Sequence, residues 1–538
     1  MNLSRTFGWL AGTLLAGIVP VAAHAAPNNE LDERVQTLSG PVRGAPRGPD
    51  GVLAFKGLPF AAAPMGALRW RAPQPVEPWT AVRDATSFGH RCLSALPNDP
   101  EPGPPRGEDC LYLNVWSAAR HTGEKRPVFV WVHGGGFQFG SGSGPTIDGS
   151  RLAAKGVVVV TFNYRLGVFG FLAHPALDAE GASGNYGLQD QLAALRWVKA
   201  NIERFGGDPD SVTLAGESAG AHAIGILMTS PLASGLFHKA IGESGAFWDG
   251  KNGPMEGFEE SRARGTAFMK KLGVDSIAAL RDMPADELNA AAPWDFTMNP
   301  MVTVFSPSVD RHVVPDFPTV RYARGDYMRI PLLAGWNDAE DFPFRAFSLP
   351  HADARQFRDA AQRMFGADRI DEFLSLYPAG TDQEAAESAH ALTGDITISE
   401  QTWKWLEFQA AGGRLPVYGY RFSYTSPYVA IASHITEVPF VFGTLTPQFV
   451  IRSMAPPGPA DRALSQAMMG YWVNFAAHSD PNGPGLPIWP AYGNTGLVQE
   501  LGQSLAPQQV AQAARFRFLG SFRQEQGTLP MRWRKDAQ

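Results

Sequence analysis

Residues 211–220 read SVTLAGESAG, a β-rich run that stops abruptly at Gly216-Glu217-Ser218-Ala219-Gly220. A serine between two such glycines is the G-x-S-x-G pattern of a nucleophile elbow, where a strand hands over to a helix through a cramped turn. Gly216 and Gly220 lack the Cβ that would clash there, so Ser218 can project its Oγ above a sheet edge. The pentapeptide alone is common, and the flanks supply the required context. Val212 to Ala215 form the strand before it, and Ala219, Ala221, Ala223, Ile224, Ile226 and Leu227 continue as a helix.

A serine hydroxyl is a poor nucleophile until a base lies within hydrogen-bond reach and a third group orients that base. In an elbow fold the chain order is serine, then carboxylate, then histidine. His222 follows Ser218 on the same helix and reads as a packed helix residue. His351 comes directly after the strand expected to carry the acid, His390 falls in a helical insertion, and His478 closes an amphipathic helix. His434 alone lies on a loop after a strong strand, and it is the candidate base. The acid should follow the strand at 330–336, where Trp336-Asn337-Asp338-Ala339-Glu340-Asp341 offers three carboxylates that spacing does not separate. His133-Gly134-Gly135-Gly136 follows the strand at 127–132. Together with the N–H of Ala219 it supplies backbone donors for a developing alkoxide. No Lys-Ser/Thr pair of a phosphate loop accompanies these glycines.

The elements that must hold these residues are legible as apolar runs. Segments 127–132 (PVFVWV), 156–164 (GVVVVTFNY), 239–243, 330–336 (IPLLAGW) and 416–424 (PVYGYRFSY) are nearly continuous, as suits strands covered on both faces. In segment 184–209 Leu188, Leu192, Leu195, Val198 and Ile202 recur at helical spacing, closed by Gly206-Gly207. Strand, helix, elbow strand and helix in that order predict a doubly wound α/β architecture with a mostly parallel central sheet, helices on both faces and helical insertions over the site. Residues 250–325 read as helices and loops, with Pro293, Trp294, Met298 and Met301 suited to a cap. A helical insertion spans about 352–411, and amphipathic helices are predicted near 462–477 and 508–518.

The chain has 538 residues, no internal repeat and no low-complexity linker, which favours one catalytic domain over residues 26–538. Its net charge of −6 argues against nucleic acid as a partner. Arg5, the apolar stretch 7–21 and Ala23-His24-Ala25 read as an export signal cleaved after residue 25, placing the mature chain in the periplasm or outside the cell. No other stretch is apolar enough to span a bilayer. Cys92 and Cys110, the only cysteines, bracket a proline-rich loop (Pro97, Pro100, Pro102, Pro104, Pro105) and in an oxidising compartment suggest a disulfide; neither belongs to a C-x-x-C pair, so no metal is implied. Arg532, Arg534 and Lys535 make a small basic end.

Beyond the elbow, the chain carries Phe55-Lys56-Gly57-Leu58-Pro59-Phe60, Glu108-Asp109-Cys110-Leu111-Tyr112-Leu113-Asn114, His133-Gly134-Gly135-Gly136-Phe137, Asn163-Tyr164-Arg165-Leu166-Gly167 and Phe205-Gly206-Gly207-Asp208-Pro209 in one order. In this series it resembles the type-B carboxylesterases, the family of cholinesterases and bacterial p-nitrobenzyl esterases, across nearly the whole mature chain. The resemblance implies an α/β-hydrolase fold and two-step ester hydrolysis through an acyl-enzyme. It implies Ser218 as nucleophile, Glu340 as acid, His434 as base, and Gly135, Gly136 and Ala219 as oxyanion hole, with a Cys92–Cys110 disulfide. Glu217 and Ser244 resemble groups that hydrogen-bond near the triad. The family pattern G-x-N-x-x-E-G is matched by Gly335, Asn337 and Glu340, but Asp341 stands where glycine is usual, and Ile435 follows His434 where a small residue is common.

The partner implied is a small-molecule ester, with no cofactor. Phe137, Trp248, Trp294 and Trp336 are placed to line an aromatic pocket for bulky groups, and Arg345 to meet a free carboxylate. Some bacterial members act on natural-product polyesters such as fumonisin-type mycotoxins, which makes such a polyester one expected substrate. Cholinesterase-like adhesion proteins keep the fold without catalysis but typically lack part of the triad, whereas Ser218, Glu340 and His434 are all present.

Overall fold

The computed structural model describes Met1 and residues 30–526, apart from 97, 98, 100, 182, 247–254, 295–303, 343, 412, 414 and 446–454. The export signal read at residues 1–25 therefore lies outside the described residues, Met1 excepted. So do Pro97, Pro100, Trp248, Met298, Met301 and the basic end at Arg532, Arg534 and Lys535.

The apolar runs form one large sheet. Its strands are β1 (Leu53–Pro59), β2 (Tyr112–Ser117), β3 (Arg126–Val132), β4 (Val158–Phe162), β5 (Gly207–Glu217), β6 (Lys239–Glu243), β7 (Leu332–Asn337), β8 (Val417–Phe422), β9 (Leu497–Leu501) and β10 (Leu505–Gln509). They lie side by side in the order β10-β9-β8-β7-β6-β5-β3-β4-β2-β1. Neighbours from β4 through β9 are parallel, and β1, β2 and β10 add antiparallel edges.

The unbroken hydrophobicity of the central strands follows from burial on both faces, sorted by the two-residue period of the pleat. Val128, Val130 and Val132 join one core layer, while Phe129 and Trp131 point into the other. In the same way Val158 and Val160 oppose Val159, and Leu214 opposes Ala215. Each of these valines, Leu214 and Phe129 contributes about 1.5–3 kcal/mol when fully buried, so a single polar substitution on either face would be costly.

Helix α1 (Tyr186–Asn201) lies between β4 and β5, and α2 (Ala219–Leu227) leaves the elbow. The predicted insertion is helical: Ala354–Phe365, Ile370–Leu376, α3 (Asp382–Gly394), a π-helical segment Asp395–Ser399, and Glu400–Ala410. Beyond β8 come α4 (Val438–Phe442), α5 (Pro459–His478) and α6 (Ala513–Gln526). Phe357, Phe365, Phe373 and Tyr377 of the insertion pack with Phe518 and Phe522 of α6 as a third apolar cluster. One expectation fails here. The segment 508–518 is not a single helix, because residues up to Gln509 belong to edge strand β10 and the helix starts at Ala513. Pro507 sits within that strand, at the sheet edge where a residue without an N–H is tolerated.

The chain runs from β3 outward to β4, then crosses back to place β5 on the other side of β3. Ligands of open α/β sheets bind at such a reversal, beyond the carboxyl ends of the strands. The ends of β3 and β5 are where His133-Gly134-Gly135-Gly136 and Ser218 emerge.

Cys92 and Cys110 are disulfide-bonded and buried, closing the loop that carries Asp99 and Glu101. Replacing both with alanine should cost about 3 kcal/mol in the chain-entropy account of a loop this short, read as a lower denaturant midpoint. An unchanged midpoint would mean that the loop is held by its other contacts.

Candidate active site

Ser218 has φ 54° and ψ −121°, a conformation rare for a residue with a side chain. Its neighbours explain how it is tolerated. A Cβ on Gly220 would lie 2.0 Å from the Val132 carbonyl oxygen, and one on Gly216 would lie 2.7 Å from it, so only glycine at both positions lets the elbow press against β3. The Ser218 N–H donates to the Glu243 carbonyl at the end of β6 (2.9 Å), and its own carbonyl accepts from His222 N–H in α2 (2.9 Å). These bonds and the packing around them hold a backbone strain of about 1–3 kcal/mol.

His434 enters from the loop after β8. Its Nε2 lies 2.9 Å from Ser218 Oγ, and its Nδ1 lies 2.6 Å from Glu340 Oε2. The Asn337 N–H donates to the other Glu340 oxygen (2.6 Å), fixing the carboxylate's rotation. The loops that carry Glu340 and His434 are themselves stitched together, with Ala339 N–H donating to the Ala432 carbonyl (2.9 Å) and Asn337 Nδ2 to the Ser433 carbonyl (2.8 Å).

The three carboxylates that spacing could not separate have three different partners. Asp338 pairs with Arg421, Asp341 is bonded by Arg345 Nε (2.5 Å), and Glu340 alone meets the imidazole. Asp341, in place of the usual glycine, is thus neutralised beside the acid. Arg345, expected to await a substrate carboxylate, instead holds Asp341. Gly394 at the end of α3 permits this crowding, since a Cβ there would sit 3.0 Å from Asp341 N and 3.3 Å from Glu340 Cβ.

Gly135 and Gly136 have φ values of 99° and 60°, and a Cβ on Gly135 would lie 2.1 Å from the Phe139 carbonyl. Gly135 thus takes a backbone that no side chain would allow, and Gly136 one that side chains rarely adopt. Ala219 opens α2, so its N–H is a first-turn donor without an intrahelical partner, at the positive end of the helix dipole. Ile435 adopts φ 69°, a genuine outlier for a β-branched residue, directly after the imidazole.

A group of buried glutamates lies at and behind His434. Glu217, Glu243, Glu340 and Glu437 are each at most 2 % exposed. Glu217 Oε1 lies 3.2 Å from His434 Nε2. Glu437 accepts from Ser244 Oγ (2.9 Å) and from Asn337 Nδ2, and Glu243 accepts from Trp472 Nε1 (2.7 Å). Ser244 therefore reaches the base through Glu437 rather than directly. Burial pushes Glu217 up to about 8, opposed by His434. Burial, then Glu340, pushes Glu437 up to about 7, and burial followed by Glu437 drives Glu243 well above the carboxylate range. Burial would lower the imidazole of His434, but Glu217 and Glu340 overturn it and hold the ring up at about 9. Carboxylates this close and this dry share protons as a set.

The aromatic expectations fare unevenly. Phe137 is fully buried, ringed by Phe171 (5.4 Å) and Tyr164 (6.5 Å), and Trp336 packs against Phe516 (5.7 Å). Both are packed as core residues. Trp294 does approach the glycine loop, with its ring 3.8 Å from where a Gly136 Cβ would stand. Sequence reasoning did not single out Phe344, whose ring meets His434 edge-on at 5.2 Å, or Glu437 and Glu243. His222 is buried in α2 and accepts from Ala246 N–H (3.3 Å), as a packed helix residue should.

Residues 31–519 match the carboxylesterase family. The chain is 38 % identical over 521 residues to the fumonisin B1 esterase of Sphingopyxis macrogoltabida, covering 94 % of this chain and 93 % of that one. It is 37 % identical over 481 residues to the para-nitrobenzyl esterase of Bacillus subtilis (strain 168), covering 85 % and 92 %. Among solved structures, a PNB esterase superposes with a TM-score of 0.78 at 33 % identity, over 91 % of this chain and 99 % of its own. A carboxylesterase from Geobacillus stearothermophilus superposes with a TM-score of 0.77 at 36 % identity, over 90 % and 99 %. With a mostly parallel sheet and an elbow serine hydrogen-bonded to a loop histidine, the chain belongs to the carboxylesterase family, a carboxylic-ester hydrolase on the α/β-hydrolase fold.

Proposed function

We propose that this protein is an exported serine esterase whose catalytic residues are Ser218, His434 and Glu340. The reading rests on one observation, the continuous hydrogen-bond line from Ser218 Oγ through His434 to Glu340, at 2.9 and 2.6 Å. Ser218 Oγ bonds to the acyl carbon while its proton passes to His434 Nε2. The N–H groups of Gly135, Gly136 and Ala219 hold the oxyanion as the carbonyl becomes tetrahedral. The bond to the alcohol then breaks, and the same proton is delivered to the leaving oxygen. Water repeats the sequence on the acyl-enzyme and frees the acid. Glu340 holds the ring with Nδ1–H towards itself and stabilises the imidazolium between the two transfers.

A mature chain starting after residue 25, a single catalytic domain and a Cys92–Cys110 disulfide together suit an oxidising compartment. Among the described residues no helix is long and apolar enough to cross a membrane. The likeness to an esterase named for fumonisin B1 supports a bulky natural-product ester as substrate. A non-catalytic adhesion role is not favoured, because nothing of the triad is missing.

Ser218→Ala should lower kcat by about 10⁴-fold with p-nitrophenyl esters, as triad knockouts do. Glu340→Gln should fall towards that level while Asp341→Asn retains most activity. A dead Asp341→Asn beside an active Glu340→Gln would reassign the acid. The base works only as neutral imidazole, so kcat/KM rises with pH through its titration. Glu217 favours the charged ring. Glu217→Gln removes that negative charge, lowers the imidazole pKa and should move the acid limb of the kcat/KM profile down by about 1 pH unit. A limb that stays put or moves up would separate Glu217 from the base.

A further inference from the structure

Glu340 meets His434 through its carboxylate and the helical insertion through its stem. A Cβ on Gly394, the last residue of α3, would stand 3.3 Å from Glu340 Cβ and 3.0 Å from Asp341 N, so the insertion's backbone rests on the loop that presents the carboxylate. The next residue, Asp395, opens the π-helical segment Asp395–Ser399. Such turns are rare and recur at functional sites. Side chains of this helical run bond the carbonyls around the turn: Thr397 Oγ1 donates to the Thr393 carbonyl (2.7 Å), and Gln401 Nε2 to those of Ile396 (3.2 Å) and Thr397 (3.1 Å).

Asp395 is anchored from outside the turn. It is buried, its Oδ2 accepts from Tyr377 Oη (2.8 Å) and lies 2.9 Å from Arg515 Nε, and its Oδ1 accepts from Arg515 Nη2 (3.4 Å). Arg515 comes from α6 and lies over the Tyr377 ring, 5.4 Å from its centroid. Burial pushes Asp395 up to about 6, opposed by Arg515 and the Tyr377 hydroxyl, so at neutral pH the carboxylate is ionised and paired. Taking away either partner would strand the other charge, so the pair holds α6 and the turn in one arrangement.

This pair touches no reacting group. What it fixes is the chain one residue from Gly394, and with it the surface against which Glu340 is set. The bond from His434 Nδ1 to Glu340 Oε2 is 2.6 Å, and a misplacement of about 1 Å in such a constellation can cost about 10²-fold in rate.

We infer that Asp395, held by Arg515 and Tyr377, is a positioning residue for Glu340, setting Gly394 and the π-helical turn so that the carboxylate meets His434 Nδ1. The inference rests on the triad proposed above, and the experiment separates the two. Glu400 is the matched control: it is equally buried and is paired with another α6 arginine, Arg523, but it stands beyond the turn from Gly394. Asp395→Asn, Arg515→Met, Arg515→Lys and Glu400→Gln are compared in the full mature chain with p-nitrophenyl butyrate, alone and combined with Glu340→Gln. Asp395→Asn and Arg515→Met should each lower kcat by about tenfold or more, with KM held within about twofold. Arg515→Lys should keep most of the rate, and Glu400→Gln should match wild type although it loses a similar pair. On the Glu340→Gln background the first two substitutions should cost less than about twofold, because the group they position has already lost its role. The Arg515 side chain is 26 % exposed, so its variants give the readout whether or not Asp395→Asn folds. An unchanged kcat in Arg515→Met, the same loss in Glu400→Gln, or equal losses with and without Glu340→Gln would overturn the positioning role. Glu340→Gln as active as wild type would remove the assignment of Glu340 itself, and the positioning role with it.

Discussion

The structure depends on one buried imidazole held between a strained hydroxyl and a carboxylate. His434 is 8 % exposed, and the charges that oppose its burial are those of Glu217, Glu340 and Glu437. At such a site the electrostatics are fixed in advance, since low-dielectric surroundings strengthen each interaction and nothing need reorganise during reaction. Glu217, Glu340 and Glu437, each at most 2 % exposed, act on this ring, and Glu243 is coupled to it through Glu437 and Glu217. They cannot all be ionised together at close quarters, and the ring offers them a positive partner. The cluster biases the ring towards protonation, against the effect of burial.

The scaffold serves this balance by bringing chain segments that are far apart in sequence to one rim. Ser218 comes from β5, the glycine loop from β3, Glu340 from the loop after β7 and His434 from the loop after β8, all at carboxyl ends of parallel strands. Direct bonds then lock loop to loop: Asn337 to Ser433, Ala339 to Ala432, and Ser218 N–H to the last residue of β6. The helical insertion contributes through Gly394, whose missing side chain lets α3 abut the acid loop. Strain at Ser218 and Ile435 is concentrated at the reacting groups and tolerated because the surrounding packing over-determines both residues.

Much of this was legible in the amino-acid order, for identifiable reasons. The elbow could be read because its backbone excludes side chains at 216 and 220, and the central strands because burial on both faces leaves no polar alternation to disguise them. The acid could not be chosen from spacing. Asp338, Glu340 and Asp341 differ only in which arginine or imidazole lies opposite, and those partners come from elsewhere in the chain, apart from Arg345. Glu243 and Glu437 were invisible for a related reason: a charged residue in sequence reads as solvated, and only the fold reveals that water is excluded. Trp336 is a case where the signal existed and pointed elsewhere. It shares the two-residue period of Leu332 and Ala334 on β7, and with them it enters the core.

The most direct test of the central claim is the rate and site of labelling by a fluorophosphonate, which reacts with a serine activated by a base and not with an ordinary hydroxyl. Incubation of the mature protein, followed by intact mass and peptide mapping, should give one adduct per chain, located on Ser218, and His434→Ala should react far more slowly. An adduct elsewhere, or equal labelling rates with and without the imidazole, would contradict the claim that His434 activates Ser218.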